Sequence, residues 1–106
     1  MQRYVIEREI PGASQMTQEQ LRDASGHSNK VLAEMGEGIR WDHSYVAGDK
    51  IYCVYDAEDE SLIRRHAEAS GFPANRITPL AARIGPETAE GNCLRSRACT
   101  GAAVRV

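Results

Sequence analysis

Residues 39–56, IRWDHSYVAGDKIYCVYD, decide the fold. Ile39–Val46 and Lys50–Asp56 are runs rich in aromatic and β-branched residues, and Ala47-Gly48-Asp49 between them is a turn signal, so the segment reads as a β-hairpin. Upstream, Thr17-x-x-Gln20 is a capping box with Thr17 as N-cap. Behind it Leu21, Ala24, Ser28, Val31, Leu32 and Met35 recur at three- and four-residue spacing, which predicts a helix over 17–35 closed by Gly36 and Gly38. In front of that helix, residues 2–9 form a β-rich run ended by Ile10-Pro11-Gly12. Downstream, Asp59 is placed to cap a second helix reaching Ser70, with Gly71 as its left-handed C-terminal residue and Pro73 forbidding continuation. Arg76–Ile84 reads as a weaker strand, whose Pro79 suits a sheet edge.

The order is β-α-β-β-α-β, the α+β plan of a ferredoxin-like sandwich: an antiparallel sheet with two helices on one face. It spans residues 1–86. Residues 87–106 lack periodicity and are expected to form a mobile C-terminal tail. Two of the three cysteines, Cys93 and Cys99, lie there without a C-x-x-C spacing; incidental thiols, a metal clip and a disulfide are the open readings.

Composition narrows the function. The chain has 106 residues, 42% apolar and 26% charged, which is one globular domain. Thirteen Lys and Arg against fifteen Asp and Glu give a net charge of −2, so no basic face is available for nucleic acid. No apolar run approaches a membrane span, and charge comes too early at the N-terminus for a signal peptide, so the expected location is cytoplasmic.

Strand parity adds an expectation about assembly. Ile51, Cys53 and Tyr55 point one way and Tyr52 and Val54 the other, so the third strand is apolar on both faces. A sheet with helices on one side only would leave one of those faces open. The cheapest cover is a second copy, hence a homodimer through the open sheet face; the tail folding over the sheet is the alternative.

The candidate chemistry rests on few residues. His66 follows Leu62 and Ile63 on the apolar face of the second helix, so it must be buried, as a satisfied core histidine, a proton-transfer group or a metal ligand. His43 alternates with Trp41 and Tyr45, and the partner strand carries Cys53 and Tyr55. A cross-strand His43/Cys53 pair would supply nitrogen and sulfur ligands for a late first-row metal, although a slip of one residue reverses it. Glu7 is either an exposed strand residue or a carboxylate entering the same cavity. His27, with Asp23 and Lys30 nearby, reads as a solvated flank. No nucleotide-binding, P-loop or nucleophile-elbow motif is present.

Val5-Ile-Glu-Arg-Glu-Ile-Pro-Gly12, Trp41-Asp-His-Ser-Tyr-Val46, Lys50-Ile-Tyr-Cys-Val-Tyr55, His66-Ala67 and Gly71-Phe-Pro-Ala-Asn75 together resemble a family of small bacterial ferredoxin-like proteins, formerly a domain of unknown function, typified by a Streptomyces nickel-binding protein. The resemblance implies a homodimer that binds nickel. Carried over position by position, it makes His43, Tyr45, Cys53 and His66 the ligand candidates, to which the reading of the strand adds Glu7. Where the family tends to carry Asp-Pro, this chain has Gly85-Pro86.

Two functions follow. The first is a cytoplasmic protein that sequesters or senses nickel or another divalent transition metal, with itself and the ion as partners and neither nucleic acid nor membrane. The second is a dimeric α+β-barrel enzyme or binding protein for a small organic molecule, with His66 as acid/base and Tyr45 or Tyr55 as hydrogen-bond partner. Converging ligands would favour the first. A deep apolar cavity lined by His66 without them would favour the second.

Overall fold

In the computed structural model, which describes residues 1–90, the hairpin pairs β2 (Ile39–Ala47) with β3 (Lys50–Ala57). Gly48 turns it at φ 60°, a left-handed value that favours glycine. β3 pairs on its other side with β1 (Gln2–Glu9), and β1 with β4 (Arg76–Pro79). The sheet is antiparallel throughout, in the order β2-β3-β1-β4. With α1 (Gln18–Met35) and α2 (Glu60–Ser70) between the strands, this is the expected β-α-β-β-α-β plan. Short 3₁₀ turns at Ala13–Gln15 and Pro86–Ala89 complete it.

Local chemistry explains the boundaries. The Thr17 hydroxyl accepts from the Gln20 amide at 3.1 Å, and the Gln20 side chain accepts from the Thr17 amide at 2.8 Å, so two orphan donors of α1 are satisfied reciprocally. At α2, Asp59 holds the N-cap position, yet its carboxylate accepts from the Ser61 hydroxyl at 2.8 Å and caps no backbone amide. Gly71 ends α2 at φ 81°. β4 stops at Pro79, short of the expected Ile84, because Pro79 already lies opposite Tyr4 and β1 has almost run out.

Both helices cover one face. Tyr4, Ile6, Cys53, Tyr55 and Ala57 from that face meet Ile63, with Leu32, Met35 and Leu62 packed around them. Ile6 and Ile63 are fully buried, and each such side chain contributes roughly 1.5–3 kcal/mol by leaving water. The opposite face carries half-buried Val5, Tyr52 and Val54 at its centre. On it Asp56 accepts from Arg3 at 2.9 and 3.1 Å and from Arg40 at 2.6 Å, and this pairing holds its carboxyl well below the ordinary carboxylate range.

No helix among the described residues is long and apolar enough to cross a membrane. Cys93, Cys99 and the tail from residue 91 onward lie outside the described residues.

Candidate functional site

The sequence-predicted ligands do not share a side of the sheet, and the cause is one extra residue. Trp41 lies opposite Tyr55, but the next pair is His43 with Val54, with a bulge between Trp41 and His43. A bulge shifts alternation by one position. Trp41, Ser44 and Val46 therefore share the helix-covered face, while His43 and Tyr45 share the open one. The expected His43/Cys53 pair does not form: Cys53 lies opposite Ser44 and is buried inside. Nor do the imidazoles of His43 and His66 converge, since the sheet stands between them.

The Trp41 indole N–H donates to the Ser44 hydroxyl at 2.9 Å across the bulge, and Arg3 meets the Asp42 carboxylate at 3.4 Å. The other Asp42 oxygen accepts from His43 Nδ1 at 2.5 Å, an interaction that lowers the Asp42 pKa. A carboxylate on Nδ1 fixes the ring and its tautomer and leaves Nε2 with a lone pair, the arrangement found behind metal-bound histidines. No described residue bonds that Nε2, and the His43 side chain is 41% exposed. The ring of Tyr45 stands edge-on to it, 5.1 Å between centroids. Glu7 is also on the open face, held by Lys50 at 3.4 Å, and does not enter the interior. Among the described residues no three His, Cys, Asp or Glu side chains gather closely enough to hold a metal ion. The donors of one copy thus fit one oriented ligand, not a full shell.

Inside, His66 is fully buried. Its Nε2 lies 3.2 Å from the Ser28 hydroxyl, which in turn lies 3.4 Å from the Tyr55 hydroxyl, and its Nδ1 has no partner. A proton on Nε2 leaves only a lone pair unsatisfied, which costs less than an orphaned N–H. Burial, reinforced by the positive charge of Arg8, depresses the His66 pKa to about 4. Burial likewise raises the Tyr55 pKa. His27, read as solvated, instead ties the helices together: its Nε2 is 2.9 Å from the Ser70 carbonyl and its ring is edge-on to Phe72.

Between α1 and the sheet lies a cavity of about 290 Å³, walled by Trp41, Ile51, Tyr55, Leu21 and Phe72 among others. His66 does not line it and reaches it only through Ser28 and Tyr55, which do. Neutral at pH 7 and set back from the space, His66 is poorly placed as an acid toward a molecule inside.

The residue that sequence reading missed is Arg8, 3% exposed and part of the same wall. A signal existed. Tyr4, Ile6 and Arg8 alternate along β1, so parity places the guanidinium on the core face.

Comparison with known proteins agrees with this architecture. The family described as nickel responsive protein SCO4226-like matches over residues 4–80. No curated protein matches. The crystal structure of SCO4226 from Streptomyces coelicolor A3(2) superposes with a TM-score of 0.64 at 21% identity, covering 77% of this chain and 99% of that one. A likeness at that identity speaks for the fold.

Proposed function

Because the chain belongs to the SCO4226-like family of nickel responsive proteins, we propose that it answers to nickel by taking the ion at His43 Nε2 on the open face of the sheet. The observation that carries this reading is the Asp42 carboxylate seated on Nδ1, which orients the ring and raises the basicity of the outward nitrogen. Imidazole suits nickel, and equally copper and zinc.

One copy supplies too few donors for a shell, so the proposal includes a second copy against the same face, its own His43 completing the coordination across a two-fold axis. Half-buried Val5, Tyr52 and Val54, together with Tyr45 at 63% exposure, give that face the apolar character such a contact needs. The metal thus both binds and joins two copies, and that coupling is the physical basis of the proposed sensing or sequestration in the cytoplasm.

The test is nickel titration calorimetry on tag-free protein, with light scattering of the same samples. Wild type is expected to bind with high affinity as a dimer. His43→Ala should lose at least tenfold in affinity, and His66→Leu should change nothing. His43→Ala retaining wild-type affinity would overturn the assignment.

A further inference from the structure

Arg8 is a buried cation without a counter-charge. Its Nε donates to Cys53 Sγ at 3.3 Å and its Nη1 to the Pro73 carbonyl at 2.8 Å, while Nη2 is buried with no partner. The guanidinium carbon lies 5.9 Å from the centre of the Tyr55 ring. Neither bonded acceptor is an anion, and no acidic side chain of the described residues pairs with Arg8. A guanidinium keeps its charge where a lysine or histidine would shed a proton, and a buried unpaired charge is strongly unfavourable. The fold therefore stores a positive site that nothing in the described chain neutralises.

That site belongs to the wall of the 290 Å³ cavity, in which Arg8 is the sole charged residue among the described residues. The rest of the lining is mostly apolar, with Trp41 and Tyr55 stacked 6.5 Å apart between centroids as one side. Ser25 and Ser28 add hydroxyls from α1. The volume is that of about ten waters and sits at the lower end of small-molecule sites. One fixed cation in an otherwise apolar recess selects a molecule with one negative end and an apolar remainder.

We propose that this cavity binds a small monocarboxylate with a compact apolar body, its carboxylate facing the Arg8 guanidinium. The site is on the helix-covered side of the sheet, away from His43, and its occupancy does not depend on the metal reading. The ligand supplies the missing counter-charge, and the apolar walls take up the body. An uncharged analogue of the same shape would leave Arg8 as it was.

Trp41 is the only tryptophan of the chain and lines the space, so its emission reports binding directly. Chelator-treated full-length protein is titrated with phenylacetate and octanoate, each against its neutral amide. Saturable change in Trp41 emission with at least one acid, at least tenfold tighter than with its amide, is the expected result. Arg8→Met, which keeps the length and removes the charge, should erase the preference. Should that variant fail to fold, the acid-to-amide ratio of wild type decides by itself. Equal affinities for acid and amide, or no saturable response to either acid, would overturn the proposal.

Discussion

Acidifying the protein from pH 7 to pH 5 is expected to weaken its fold through His66 alone by about 2 kcal/mol. In the native state burial holds this imidazole neutral down to about pH 4, against an ordinary value of 6.5 in the unfolded chain. Between those two values the unfolded state binds a proton that the folded state refuses, so stability is complete above 6.5 and declines as the pH drops toward 4. Linkage converts the difference into about 2 kcal/mol lost at pH 5 and about 3 kcal/mol near pH 4. Urea unfolding at the two pH values reads this as a midpoint lower by about 1 M, given a urea dependence of about 2 kcal/mol per molar. His66→Leu removes the titration while keeping a comparable apolar volume, and each protein is compared with itself, so any difference in packing cancels. The low-pKa carboxylates Asp42 and Asp56 are present in both proteins and cancel likewise. If wild type loses no more between pH 7 and pH 5 than His66→Leu does, the imidazole is not held neutral by burial and the account of the interior is wrong.

Two further outcomes are expected. Asp42→Asn should weaken nickel binding by about tenfold, because the ring of His43 loses its charged orienting partner; calorimetry giving an unchanged affinity would separate Asp42 from the metal. Asp56→Asn should cost about 1–2 kcal/mol by loosening its bonds to Arg3 and Arg40. Since pairing depresses the Asp56 carboxyl, its contribution is present above about pH 4 and fades only below, so thermal denaturation of the variant should show a shallower acid limb than wild type.

The architecture was legible because each element carries its own punctuation. The Thr17/Gln20 box, Gly48, Gly71 and the proline after it mark ends that local chemistry alone determines. Burial of His66 followed from its place beside Leu62 and Ile63, and that of Arg8 could have followed from parity with Tyr4 and Ile6. The bulge could not be read. Nothing in Trp41-Asp42-His43 differs in composition from an unbroken strand, and only pairing with β3 and the reach of Arg3 to Asp42 set it. Every reading of which residues face which side of β2 beyond Trp41 inherited that missing residue, which is why His43 and Cys53 were expected to meet. The partners of His66 were equally hidden, since Ser28 comes from α1 and its approach depends on how the two helices pack.

The insertion at position 42 also uncouples the two ends of this strand. Deleting Asp42 would remove the bulge and leave the pairing on either side of it unchanged: Trp41 would still face inward opposite Tyr55, and His43 and Tyr45 would still face outward opposite Val54 and Tyr52. Among kindred chains, the side that carries the imidazole should therefore follow from its distance to the glycine turn, not from its distance to the tryptophan.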